Sequence, residues 1–141
     1  MSPVKTNLIP SKTKRITLYV NTEKLKYKKD TDLYEYVNFG QDRRISNKDY
    51  TLEVALNDDI EWVGVSSSSP GTDTVFIKEI VFKKGKKILN KDILRGEKEI
   101  NGKVDKGKKG DMEFYSIYFK FIGKSNSSDK LFHIDPILRI I

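Results

Sequence analysis

The chain has 141 residues, of which 37% are hydrophobic and 33% charged, with a formal net charge of +7 and no cysteine. That length suits one domain with a real core, and the lack of cysteine excludes disulfides, thiolate metal sites and cysteine nucleophiles together. No run of ~18 apolar residues is present, which excludes a transmembrane helix.

Residues 1–14 are polar and carry Pro3 and Pro10, and they read as an N-terminal arm ahead of a domain spanning 15–141. They hold no apolar block of signal-peptide length, so the expected location is the cytoplasm. Residues 15–21 (RITLYVN) alternate Ile16, Leu18 and Val20 against Thr17 and Tyr19, the pattern of a half-buried strand. Residues 22–33 are rich in lysine and aspartate and predict a loop or a short helical turn. Residues 33–39 (LYEYVNF) predict a short strand with Tyr34 and Tyr36 on one face, and 40–49 a loop.

Residues 50–56 (YTLEVAL) alternate strictly and predict a strand with Leu52, Val54 and Leu56 inward. Asn57-Asp58-Asp59 is a turn signal. A strand over 60–65 follows, carrying the single tryptophan, Trp62. The two strands form either a tight hairpin or a corner between sheets. Residues 66–74 (SSSSPGTDT) predict a loop. Residues 75–83 predict a strand with Phe76, Ile80 and Phe82 on one face, and Lys84-Gly85-Lys86 a turn. Residues 87–95 (KILNKDILR) fit one helical face as well as two short strands. Residues 96–110, rich in glycine and lysine, predict a hairpin approach to the next strand.

That strand, residues 113–121 (EFYSIYFKF), places Tyr115, Ile117, Phe119 and Phe121 on one face. After a polar break at 123–129, LFHIDPILRII predicts a last apolar run interrupted at Asp135-Pro136. Short strands punctuated by turns predict an all-β fold. The expected form is a single antiparallel β-sandwich of about seven or eight strands with Greek-key, immunoglobulin-like connections. Leu18, Val54, Trp62, Ile80, Tyr115, Phe119 and Ile134 are the expected core. Asp111 four residues before Tyr115 is similar to a tyrosine corner, in which the hydroxyl bonds back to the chain.

Chemistry-bearing motifs are sparse. One histidine, His133, and no cysteine leave no ligand set for a blue-copper or zinc centre. Asp58, Asp59, Asp73 and Asp111 lack EF-hand spacing and read as turn formers rather than calcium ligands. The serines at 66–69 have no partnering base in sequence, no Gly-x-Ser-x-Gly motif occurs, and no phosphate-binding glycine loop is present. No enzyme activity and no cofactor are expected.

The basic residues are mostly lysine, with arginine only at 15, 43, 44, 95 and 139. Arginine is the better bidentate reader of nucleic acid, so lysine excess reads first as a solvated surface that guards turns and edges. Lys83, Lys84, Lys86, Lys87, Lys103, Lys106, Lys108 and Lys109 are nonetheless the candidate contacts for a polyanion, nucleic acid or acidic glycan, if they form one basic edge.

Two segments resemble the bacterial inclusion-body protein family. The first is Asn57-Asp58-Asp59-Ile60-Glu61-Trp62 with the serine run at 66–69; the second is the aromatic strand followed by Phe132-His133-Ile134-Asp135-Pro136-Ile137-Leu138-Arg139-Ile140. The tryptophans that the family carries just before Asp-Pro are absent here. The resemblance implies a small cytoplasmic β-sandwich protein that self-associates, with no defined chemistry. It agrees with the reading from the residues: a non-enzymatic interaction or assembly module, partnered by itself or another protein, such as a subunit of an inclusion, shell, fibre, virion or secretion apparatus, with Tyr34 and Tyr36 available for an interface. Polyanion binding is the alternative, and a carbohydrate-binding sandwich using Trp62 or tyrosines comes third.

Overall fold

The computed structural model describes residues 12–25, 33–68, 72–123 and 131–141. Most of the expected N-terminal arm, residues 1–11, the middle of the expected 22–33 loop, part of the serine-rich loop and most of the 123–129 break lie outside the described residues.

The strands are β1 (Thr13–Val20), β2 (Val37–Asn38), β3 (Thr51–Val54), β4 (Asp59–Ser66), β5 (Thr74–Gly85), β6 (Ile93–Arg95), β7 (Ile100–Lys103), β8 (Met112–Ile122), β9 (Phe132–Ile134) and β10 (Ile137–Ile140); two helical turns, α1 (Thr22–Leu25) and α2 (Leu33–Tyr36), sit between β1 and β2. One sheet runs β2-β1-β4-β7; the other runs β3-β10-β8-β5-β6, with β9 also on β8. The inward faces bury Ile16, Leu18 and Val20 of β1, Ile60 and Trp62 of β4, Val75, Ile77 and Ile80 of β5, and Tyr115, Ile117, Phe119 and Phe121 of β8. The fold is an all-β sandwich, as the alternation predicted, and all seven expected core residues are buried. At Gly64, an inward position of β4, an added Cβ would lie 2.4 Å from Val75 Cγ1 of the facing sheet, so the missing side chain lets the two sheets close there.

The sandwich differs from the expectation in strand number and in being mixed. β1 pairs with β4 in parallel, and β10 with β3 in parallel. A parallel neighbour needs a long crossover; residues 21–58 supply the first and the whole run from β4 to β9 the second. The step from β3 to β4 is a corner between sheets rather than a hairpin. Asn57 turns it with φ 73°, and Asp58 Oδ2 accepts the Ala55 N–H at 2.9 Å. The turn begins at Leu56, which is therefore 48% exposed instead of inward.

Other local expectations shift for identifiable reasons. Residues 33–36 form α2, not a strand: Leu33 and Val37 are buried four residues apart while Tyr34 is 69% exposed, a helical spacing. In β5 the register against β8 shifts between Ile77 and Glu79, so Val75 and Ile77 face inward before the bulge and Ile80 after it. Phe76 consequently lies opposite Lys120 and away from the face of Ile80. Residues 87–95 take the extended alternative, with a Leu89–Val104 bridge and β6. Residues 100–103 are not a hairpin leading to β8; they cross to the other sheet as β7, on β4.

Around Asp135-Pro136 the chain stays in one register against β8: Ile134 opposes Ile117 and Ile137 opposes Phe114. Pro136 lacks an N–H and cannot donate to the ladder, yet its carbonyl still accepts from Tyr115 N at 3.3 Å. The interruption is a lost bond, not a slipped strand.

Candidate functional site

The structure divides the eight candidate lysines into three groups. Lys86, Lys87, Lys106 and Lys108 line one shallow cleft with Gly107 and Asp111. Lys109 follows in the exposed turn at 109–110. Lys83 and Lys84 lie on the outer face of the β8 sheet, in a separate depression with Lys48, Asp49, Phe114, Asp135 and Ile137. There Lys83 Nζ is 3.0 Å from Asp135 Oδ2, and Lys84 stands 5.1 Å over the Phe114 ring. Lys103 sits on β7, 3.5 Å from Asp59.

The cleft is built by two segments at one end of the sandwich. Beyond β5, Lys86 N–H donates to the Met112 carbonyl at 2.8 Å; Asp105 N–H donates to the Ile88 carbonyl at 2.8 Å, and Gly110 N–H to the Ile140 carbonyl at 2.8 Å. Beneath them lies Glu113, which sequence reasoning passed over as the first residue of a strand. It is 1% exposed, and its Oε1 accepts the backbone N–H groups of Ile88 at 2.7 Å and Leu89 at 2.9 Å. Burial pushes its carboxyl above the ordinary range, against the pull of those two N–H groups. An acidic residue at an inward strand position was the available signal: such a group stays buried only when hydrogen-bonded.

A second surface surrounds Tyr34. Its ring stands between a hollow of about 320 Å³, which it shares with Leu33, Ser46, Asn47, Lys48, His133, Ile134 and Asp135, and a wider one formed by residues 38–47 with the Arg43 and Arg44 side chains. Tyr36, by contrast, packs against the core. His133 stacks on Tyr118 at a centroid distance of 5.1 Å. Asp135 accepts from the Ser116 hydroxyl at 2.6 Å and from Lys83. Burial alone would raise its carboxyl, but Ser116, Lys83 and His133 outweigh it and hold the group below its ordinary range. Ser46, Asn47 and Asp135 are each engaged in such structural bonds.

The other sequence candidates resolve as structural. Ser66 is buried, 2.9 Å from the Thr22 hydroxyl, which donates to Asp73 at 2.5 Å. Asp58 caps its corner, and Asp111 Oδ2 accepts the Lys108 N–H at 2.9 Å. Among the described residues no group of three or more acidic or histidine side chains is placed to hold a metal ion. No helix among them is long and apolar enough to cross a membrane. Trp62 is 1% exposed and unavailable to a sugar ring. Its Nε1 donates to the Tyr115 hydroxyl at 3.2 Å, so that tyrosine ties sheet to sheet rather than closing a corner onto its own strand.

No protein-family model matches the sequence, and no curated protein matches it. Among solved structures, the inclusion body protein PixA from Burkholderia cenocepacia J2315 superposes with a TM-score of 0.65 at 11% identity, over 94% of this chain and 98% of that one. The chain has an inclusion-body-protein-like fold. The likeness is one of fold and runs through both sheets. Fet3p, a multicopper oxidase that functions in iron import, matches at a TM-score of 0.39 and 12% identity, over 97% of this chain but 29% of that one, and is too distant to bear on the site.

Proposed function

We propose that this chain is a non-enzymatic assembly module that associates with copies of itself through the surface around Tyr34. The observation that carries the reading is the fold likeness to an inclusion body protein across nearly the whole of both chains. The Tyr34 surface supports it. A tyrosine offers large amphipathic area at low entropy cost, and tyrosine and arginine are the residues that anchor interfaces. A two-fold contact requires a patch that complements itself. A ridge beside a hollow meets that requirement, because Tyr34 of one copy enters the hollow of the other and the reverse. The hollow beside His133, at about 320 Å³, holds the volume of roughly ten water molecules at liquid density.

The test is the solution mass by light scattering at ~0.05 and ~0.5 M salt, which span weak and strong screening. A defined oligomer above the 16.3 kDa protomer at both salts is expected, because the contact is aromatic and not ionic. Tyr34→Ala should return the protein to a monomer that still unfolds cooperatively, since the ring is 69% exposed in the protomer and outside its core. A wild-type monomer at both salts overturns the reading, and an oligomer indifferent to Tyr34→Ala removes this surface from it.

A further inference from the structure

We propose that the lysine cleft at the end of the sandwich binds a chain of phosphate groups. Four lysines, Lys86, Lys87, Lys106 and Lys108, line it together with one acidic residue, Asp111. Asp111 is already occupied with the Lys108 N–H. Lys87 has a partner outside the cleft, Asp92 at 2.6 Å, whereas Lys86, Lys106 and Lys108 form no ion pair among the described residues. Three lysines without an ion pair thus stand against the single Asp111 carboxylate, an excess of positive charge that attracts an anionic ligand.

The walls are fixed rather than loose. The segment bearing Lys86 and Lys87 is tied to Met112 on one side and to Asp105 and Lys106 on the other through backbone hydrogen bonds. The buried Glu113 carboxylate clamps its far end through the Ile88 and Leu89 N–H groups. Glu113 is therefore a positioning residue: it spends its charge on the backbone beneath the cleft and does not reach the lysines' open side. Pre-set cations lose less on binding than mobile ones.

Lysine acts as a compact point charge and suits phosphate without demanding a planar bidentate geometry. Among the described residues no aromatic side chain lines the cleft, so none offers a platform for stacking a base or a sugar ring. What the cleft can recognise is closely spaced negative charge. Phosphate chains supply it in two forms, inorganic polyphosphate and the backbone of a nucleic acid. This surface is separate from the one around Tyr34, and its binding does not require self-association.

The experiment titrates the full chain by fluorescence anisotropy with labelled inorganic polyphosphate, a labelled single-stranded oligonucleotide and a labelled sulfated glycan, each at ~0.05 and ~0.3 M salt. It is repeated with K106E/K108E, with K106Q/K108Q, and with a control, K24E/K98E, that makes the same charge change at exposed sites elsewhere. All four positions are exposed, and a thermal melt confirms that each variant folds. Binding to at least one phosphate ligand should fall with salt, drop about tenfold or more in both cleft variants, and stay within about twofold of wild type in the control. Binding of polyphosphate alone identifies an inorganic chain as the source; binding of the oligonucleotide alone identifies a nucleic-acid backbone; binding of both shows that phosphate spacing is sufficient. No phosphate binding, an equal loss in the control, or binding of the sulfated glycan alone overturns the proposal.

Discussion

The contact between Trp62 and Tyr115 should act as a measurable clasp between the two sheets. Trp62 is 1% exposed and Tyr115 fully buried, their rings meet edge to face at 5.9 Å and 69°, and the indole N–H donates to the hydroxyl at 3.2 Å. Trp62→Ala should cost about 3–5 kcal/mol, the range for truncating a large buried aromatic. Tyr115→Phe keeps the ring and removes one oxygen, yet it strands a buried indole N–H and should cost about 1–3 kcal/mol. Trp62→Phe strands the hydroxyl in turn. The double Phe variant strands neither, so it should be less damaging than the two single changes added together, by about 0.5–3 kcal/mol. Urea unfolding followed by the emission of the single tryptophan measures wild type and Tyr115→Phe; far-UV circular dichroism serves the variants without it. The slope of the transition should stay constant, so that midpoints report stability. Strict additivity in the cycle would show that no hydrogen bond joins the pair. A Trp62→Ala loss below about 1 kcal/mol would refute the core position of the indole, because surface substitutions fall in that range.

Two further outcomes follow from packing and from burial of charge. Gly64→Ala places a methyl 2.4 Å from Val75 Cγ1 and should cost about 1–3 kcal/mol by overpacking. Val75→Ala in the same chain should recover part of that loss, and an unrecovered double variant would place the strain elsewhere. Glu113 supplies a pH dependence. Its folded carboxyl is raised above the ordinary value of about 4.3, with Lys87 lowering it and Asp92 raising it further. Below the ordinary value both folded and unfolded states hold the proton; as pH rises through the raised folded value, the stability associated with the bound proton is lost. Glu113→Gln retains an acceptor for Ile88 and Leu89 and has no such proton. Its stability relative to wild type should therefore improve as pH rises from about 4 towards 7 in denaturant titrations. A flat or opposite trend would show that the buried carboxylate is not destabilised by its site.

Strand content and the core were legible because both depend on local period. Tyr115, Ile117, Phe119 and Phe121 alternate without a break in the sequence and are all buried in the structure. Period alone fails wherever geometry changes within a run. The shift after Ile77 reverses which parity of β5 faces the core, and no residue in VFIKEIVFK marks it. The segment LYEYV reads as alternating over five residues, too short to tell period two from the four-residue spacing that buries Leu33 and Val37. The parallel partners were out of reach for another reason. That β1 takes β4 as its parallel neighbour, on the side away from β2, is decided by which faces bury together across the whole chain, and that choice leaves no local mark.

The candidate sites show the same division between local and assembled features. The lysine runs are visible in the sequence, but their grouping is not. Lys83 and Lys84 are neighbours of Lys86 along the chain, yet the register shift between Phe82 and Lys84 and the end of β5 at Gly85 send them to different surfaces. Lys106 and Lys108 join Lys86 because the Leu89–Val104 bridge and the Asp105 and Lys106 hydrogen bonds to Ile88 lay one segment beside the other. The bridge itself stands on Glu113, whose oxygen holds the Leu89 N–H. Glu113 thus adds, to the backbone bonds of Lys86, Asp105 and Lys106, a tie beneath the cleft. Its removal should disperse the lysines without altering net charge at the surface, which is why a charge census of the sequence cannot anticipate the site.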